Sequence, residues 1–245
     1  MIRGIIYWIM ASIVTFVWTF AALAVYPFVP RRQNFMHHNV HWWARFLLRF
    51  FCGVRIELNG LEQIDRSRAY IVVSNHRSYT DILVGNASLP IQFRWLAKKS
   101  LFRIPVLGFA MRAAGYIPVI RERAVSAFRS LHRTADVLGT GASVWIYPEG
   151  TRTPETELRA FKRGAFILAK DTGMPLLPVV LANTDRIFIK TFVIRPQLVR
   201  VSVLEPVSYC DFEQAGRSER EALELLMETV RDRIQGCYDG LVSGS

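Results

Sequence analysis

From Arg55 to Leu204 the chain alternates short β-rich runs with stretches of helical spacing, and this alternation limits the fold more than any other feature. The runs are RIELNG, AYIVVS, FRWLAK, YIPVI, SVWIYP, LLPVVL and VRVSVL. Among the intervening stretches, Ala124, Phe128, Leu131, Ala135 and Leu138 recur at helical spacing, and Leu223, Met227, Val230 and Ile234 do so later. Strands alternating with helices pack as a sheet with helices on its faces. The predicted fold is therefore α/β, a single mixed, mainly parallel sheet covered by helices. No Pro/Gly/Ser-rich linker divides residues 53–245, so they read as one domain. Ser218 and Glu221 have the spacing of a capping box for the last helix. In such sheets, sites form beyond the carboxyl ends of strands.

Residues 1–52 read as an N-terminal membrane-associated helical segment. No charge interrupts GIIYWIMASIVTFVWTFAALAVYPFV, Gly4 to Val29. A helix rises about 1.5 Å per residue, so this run is long enough to cross a hydrocarbon core of about 30 Å. The competing reading is a cleaved signal peptide ending at Ala22–Ala24. Against it, the apolar run exceeds the roughly 7–15 residues of a signal core. Downstream, Met36, Val40, Trp43, Leu47 and Phe50 share one helical face, widened by Phe35, Trp42, Phe46 and Phe51 and flanked by Arg31, Arg32, Arg45 and Arg49. That pattern suits either a helix in the membrane interface or an ordinary core helix. Arg31 and Arg32 outnumber Arg3, which places the following domain on the cytoplasmic side, in a bacterium at the inner membrane. His37, His38 and His41 lack a carboxylate or cysteine companion, and read as a wet helix face rather than a metal site.

The net charge of +11 calls for an anionic partner. A basic tract runs through Arg94, Lys98, Lys99, Arg103, Arg112, Arg121, Arg123, Arg129 and Arg133, opposed by Glu122. It lacks the aromatic stacking pattern of an RNA-binding module, so an anionic membrane or phosphorylated lipid fits better than nucleic acid. The three cysteines lie far apart, with no spacing for zinc or a disulfide framework. No metal and no cofactor is expected.

Polar clusters follow three of the strands. SNHRSYTD, after AYIVV, sets His76 and Asp81 apart by four residues. One reading is structural: Ser78 and Asp81 form a capping box at a helix starting near Ser78, and His76 is a loop residue. The other is catalytic: Asp81 holds one ring nitrogen of His76 as N–H, leaving the other to accept a proton. No G-x-S-x-G elbow is present, so such a base would act on a substrate hydroxyl or water. After SVWIY comes PEGTR, where Gly150 admits close backbone approach, Arg152 offers a fork for phosphate, and Glu149 can accept from substrate hydroxyls. A turn with a solvated arginine is the plain alternative.

NHRSYTD, GYIPVIR, YPEGTRT and MPLLPVV, in this order and spacing, resemble the four blocks of the glycerolipid acyltransferase family. WLAKKSLFRIPVLGFAMRAAG and FKRGAF are similar to its intervening segments, so the resemblance covers roughly Asn59 to Leu204. It implies a catalytic pair of His76 as general base and Asp81 as its orienting partner. It also implies acceptor binding by Arg121, Glu149, Gly150, Thr151 and Arg152, with Lys98 at a basic position between blocks. The implied reaction moves a fatty acyl group from acyl-CoA or acyl-carrier protein to the free hydroxyl of 1-acyl-sn-glycerol 3-phosphate, giving phosphatidic acid. The second block departs from the family pattern, with Pro118 where an aromatic is common and Ile120 where Asp or Asn often precedes the arginine. Two alternatives stand beside this reading: the same chemistry on another lysophospholipid or lyso-aminolipid, and a non-catalytic lipid-binding membrane protein.

Overall fold

The computed structural model describes residues 2–119, 134–153, 155, 157–190, 193–213 and 217–243. Two N-terminal helices, α1 (Ile2–Val25) and α2 (Arg32–Phe46), precede β1 (Arg55–Asn59) and β2 (Ile71–Ser74). There follow α3 (Asp81–Ser88), β3 (Phe93–Lys98), α4 (Leu107–Ala113) and β4 (Ile117–Val119). Helical residues 134–139 (α5) lead into β5 (Ser143–Ile146), α6 (Gly164–Thr172) and β6 (Leu176–Ala182). A small hairpin of β7 (Phe188–Lys190) and β8 (Val193–Ile194), then β9 (Leu198–Val203) and α7 (Glu219–Ser243), complete the order.

The main sheet has seven strands in the order β1-β9-β6-β2-β5-β3-β4. Among the described strands of this sheet, the β6–β9 pairing alone is antiparallel. The pairings of β2 with β5 and β6, of β3 with β4 and β5, and of β1 with β9 are parallel. The carboxyl ends of β2, β3, β4, β5 and β6 therefore share one edge. Every residue of β2 and β6 is buried, as continuous apolar runs covered on both faces require.

Side chains alternate across the sheet into two cores. Ile71, Val73, Val144 and Val180 face Phe166 and Leu168 of α6 and Leu226, Val230 and Ile234 of α7. Val72, Trp145, Leu177 and Val179 face Ala44 and Leu48 on one side and Val84 and Ala87 of α3 on the other. The helix from Arg32 is thus a core helix of the sheet. A π-helical turn, Leu47–Phe51, shifts its inward face, so Leu47 and Leu48 are buried while Phe50 stays 70% exposed. Trp42, 51% exposed, shares that outer side, so one helix carries both the core pattern and an aromatic surface.

Two charged or polar positions are corrected by this packing. His37 is buried rather than wet: its ring lies edge-on to Phe93 at 4.3 Å. Arg94 is also buried, with its guanidinium donating to Asn34 Oδ1 (2.6 Å), Gln92 Oε1 (3.1 Å) and the Phe93 carbonyl (2.9 Å). It is a structural arginine and presents no charge to a membrane.

Helix α1 and the 3-10 turn after it are apolar enough to cross a membrane over Trp8–Phe28, with a mean hydropathy of 2.0. The helix is also tied along its length to the rest of the protein. Trp18 donates to Asn39 (2.6 Å), Trp43 donates to Thr15 (3.2 Å), Ala22 packs with Met36 and Ala113, and Trp8 stacks on Phe188 at 5.3 Å. These ties extend from Trp8 to Ala22, about 21 Å of helix. Its opposite side is bare, with Ile13, Phe16 and Val17 more than half exposed.

Candidate active site

The chain leaves β2 at Ser74 and turns across the carboxyl edge before α3 begins at Asp81. Three fixings hold that turn. Asn75 clamps Leu181 of the neighbouring strand, donating to its carbonyl (2.8 Å) and accepting from its N–H (2.9 Å). Ser74 Oγ accepts from the Trp145 indole (2.8 Å), and Thr80 Oγ1 donates to the Thr184 carbonyl (2.7 Å).

Within the turn, His76 Nδ1 lies 2.7 Å from Asp81 Oδ2. The same oxygen accepts the backbone N–H groups of Arg77 (2.7 Å) and Ser78 (2.8 Å). The cap and the dyad are therefore one structure. Half of the expected capping box is present, because Ser78 Oγ accepts from Thr80 rather than from Asp81. The helix starts at Asp81, three residues later than the sequence suggests. Asp81 is fully buried and His76 is 6% exposed. A carboxylate bound by two backbone N–H groups is held in a fixed orientation, and its contact with Nδ1 leaves that nitrogen as the donor. No hydrogen bond among the described residues occupies His76 Nε2, which leaves it to accept a proton.

Glu149 reaches this turn from the loop after β5. Its Oε1 accepts the His76 backbone N–H (2.8 Å), and Oε2 accepts the Arg159 backbone N–H (3.3 Å). At 3% exposure, the carboxylate is engaged by backbone on both oxygens. The Thr153 N–H donates to the His76 carbonyl (2.8 Å), so the two loops are laced together around the imidazole. Gly150 adopts φ +74°, which favours glycine, and the Lys162 side chain lies over its α-carbon. The Arg152 guanidinium sits 3.2 Å from the ring centroid of Tyr79, itself 75% exposed at the mouth of the turn. Thr151 is exposed beside it.

The structure thus brings together His76, Asp81, Glu149, Gly150, Thr151 and Arg152. Lys98 is exposed at the carboxyl end of β3, on the same sheet edge and two strands from β2. Arg121 lies outside the described residues, as do Ile120, Arg123, Arg129 and Arg133. The order of the site is legible in the sequence; two of its members, Lys162 and Tyr147, go unnoticed there. Lys162 belongs to FKRGAF but its approach to Gly150 has no sequence signal. Tyr147 stacks on the His76 ring, at 3.9 Å between centroids and 13° between planes. Its signal was available: Trp145 and Tyr147 are alternate residues, so they face one side of the sheet.

Among the described residues no group of three or more His, Cys, Asp or Glu side chains is arranged to hold a metal ion. A cavity of about 670 Å³ lies away from the dyad, against α1 and α2, lined by Trp18, Phe46 and Phe50 with Arg45 and Arg49.

Comparison with known proteins gives a consistent answer. The family model described as Acyltransferase matches residues 55–182. A 1-acyl-sn-glycerol-3-phosphate acyltransferase of Borreliella burgdorferi is 32% identical over 185 residues, covering 76% of this chain and 72% of the relative. The chloroplastic 1-acyl-sn-glycerol-3-phosphate acyltransferase LPAT1 of Arabidopsis thaliana is 36% identical over 191 residues, 76% of this chain and 53% of that protein. The chain spans about half the length of such plant relatives. The crystal structure of the 1-acyl-sn-glycerophosphate acyltransferase PlsC from Thermotoga maritima shares the fold, with a TM-score of 0.79 at 22% identity, over 98% of this chain and 96% of that one.

Proposed function

This chain belongs to the Acyltransferase family, and on that premise we propose that it moves a fatty acyl group onto the free hydroxyl of 1-acyl-sn-glycerol 3-phosphate, giving phosphatidic acid. The observation that carries the reading is the 2.7 Å contact between His76 Nδ1 and a buried Asp81 carboxylate. With Nδ1 committed as donor, Nε2 takes the proton of the acceptor hydroxyl. The oxygen attacks the thioester carbonyl of acyl-CoA or acyl-carrier protein. The new C–O ester bond forms, the C–S bond breaks, and the proton held by His76 passes to the departing thiolate. No protein nucleophile takes part in this scheme.

Arg152 is assigned to the acceptor phosphate, with Arg121 as a second fork and Lys98 and Lys162 as point charges. Gly150 and Thr151 supply the close backbone approach beside Arg152. Glu149 is assigned to holding the His76 backbone, since both of its oxygens already accept from N–H groups. General-base catalysis contributes about 10²–10⁴-fold, and fixing both substrates on one sheet edge contributes more.

Helix α1 and the aromatic outer side of α2 are assigned to the membrane. Because α1 is tied to the domain from Trp8 to Ala22, burying its bare side in one leaflet keeps the domain at the surface. Arg45 and Arg49 then face anionic headgroups. The catalytic domain is assigned to the cytoplasmic side of a bacterial inner membrane, beside the donor. A radiolabelled acyl-transfer assay over a panel of lyso-acceptors tests the assignment. Strong transfer to lysophosphatidate supports it; transfer confined to a lyso-lipid without a terminal phosphate replaces the acceptor, and no transfer to any of them removes the activity.

A further inference from the structure

The imidazole of His76 is the outer ring of a four-ring aromatic stack, and we propose that this stack, acting through Tyr147, positions the base for proton transfer. The proposal rests on the reading of His76 as the base of acyl transfer. His76 lies on Tyr147 at 3.9 Å and 13°; Tyr147 lies on Trp95 at 5.5 Å and 19°; Trp95 lies on Trp145 at 4.7 Å and 30°. All three supporting rings are buried.

The stack is built into the sheet rather than laid against it. Trp145 on β5 and Trp95 on β3 are direct register partners across a parallel pairing. Tyr147, two residues beyond Trp145, falls on the same face. Each indole is fixed by its own hydrogen bond: Trp145 to Ser74 Oγ (2.8 Å) and Trp95 to Asn86 Oδ1 (3.1 Å). Helix α3 closes over the column at Gly85. A Cβ there would lie 2.9 Å from Trp95 and 3.1 Å from Trp145, closer than these rings allow. Gly85 is one helical turn past Asp81, so the helix that carries the carboxylate also presses on the stack.

A hydrogen bond to Asp81 sets where Nδ1 lies but tolerates tilt of the ring, and tilt carries Nε2 away from the acceptor hydroxyl. A flat neighbour on one face removes that freedom. Catalytic groups need a geometry held to about 0.5 Å and 10–20°, and the two contacts together fix both quantities. Tyr147 touches no reacting atom in this scheme; it is a positioning residue.

The test compares Tyr147→Leu, which keeps apolar bulk without a flat face, with Tyr147→Phe, which keeps the ring. In folded protein, Tyr147→Leu is expected to lower kcat about 3- to 10-fold, with KM for donor and acceptor changed by less than about twofold. Tyr147→Phe is expected to restore kcat. In NMR spectra of the histidine-labelled protein, the carbon-bound ring protons of His76 should show an upfield ring-current shift that Phe keeps and Leu abolishes. Wild-type kcat in Tyr147→Leu, loss of kcat equal in Leu and Phe, loss expressed in KM, or a His76 shift unchanged by Leu would each overturn the proposal. If Tyr147→Leu does not fold, Tyr147→Met carries the same comparison. If the unaltered protein acylates no lyso-acceptor, the acyltransfer reading fails while the ring-current measurement still decides whether the stack holds His76.

Discussion

Asp81 holds His76 and the start of its own helix with a single oxygen. Its Oδ2 lies 2.7 Å from His76 Nδ1 while also accepting two backbone N–H groups. Capping and catalysis are therefore separable by measurement, not by geometry. Asp81→Asn keeps the size of the side chain but loses the charge and leaves the imidazole tautomer unspecified. Turnover should fall about 10²–10⁴-fold, while Asp81→Ala, which removes the capping oxygen as well, should also cost about 1 kcal/mol of stability. Steady-state kinetics beside denaturant unfolding checks both; a stability loss with unchanged turnover would leave Asp81 as a helix cap alone.

Glu149 offers a second separation. In Glu149→Gln an amide NH₂ must face one of the two N–H groups that the carboxylate now satisfies, His76 N–H or Arg159 N–H. Leaving a buried donor unpaired costs about 1–3 kcal/mol. The expected outcome is reduced stability and reduced kcat, with acceptor KM little changed. A selective rise in acceptor KM would instead return Glu149 to the substrate-binding role that its place in PEGTR suggests.

Arg152 carries the prediction for the acceptor. A phosphomonoester bears nearly two negative charges and three acceptor oxygens, and charge-assisted hydrogen bonds contribute about 1.5–3 kcal/mol each. Arg152→Ala should raise KM for lysophosphatidate roughly 10- to 100-fold and leave donor KM unchanged, with Arg152→Lys recovering part of the loss. Initial-rate measurements varying each substrate in turn decide this. Equal effects on both substrates would make Arg152, stacked on Tyr79, a structural residue.

His37 predicts a pH dependence of stability. Burial, aided by the neighbouring Arg94 and opposed by a hydrogen bond to the Ile91 backbone, pushes its pKa down to about 3. An unfolded histidine titrates near 6.5. Below that pH the unfolded chain binds a proton that the folded protein refuses, so this contribution is complete above pH 6.5 and is lost as pH falls. The loss is about 1.4 kcal/mol per pH unit until about pH 3. Thermal unfolding at pH 7 and pH 5 should show the native protein losing about 2 kcal/mol more than His37→Gln over that interval. Equal losses would mean that His37 is solvated.

The main sheet was legible because each of its strands is a short apolar run between breakers, and the runs named from the sequence match β1, β2, β3, β4, β5, β6 and β9. The β7–β8 hairpin was not, since strands of three and two residues carry no period to read. Asp81 and His76 were legible as a pair, but their two possible roles were not separable by spacing, because one oxygen makes both sets of contacts. Arg94 and His37 were misread because charge and polarity signal surface, and only neighbours distant in sequence, Asn34 for one and Phe93 for the other, reveal burial. The stack beneath His76 depends on strand register, which fixes Trp95 beside Trp145 and which no local pattern encodes.

His76 is assigned as the base that deprotonates the acceptor hydroxyl. The most direct test of that role is the formation of radiolabelled phosphatidic acid from lysophosphatidate and acyl-CoA by the purified protein in mixed micelles, compared with His76→Ala. Product is expected from the unaltered protein, with a loss of about 10²–10⁴-fold in His76→Ala and an unchanged circular dichroism spectrum. Turnover of folded His76→Ala near the unaltered rate would contradict it.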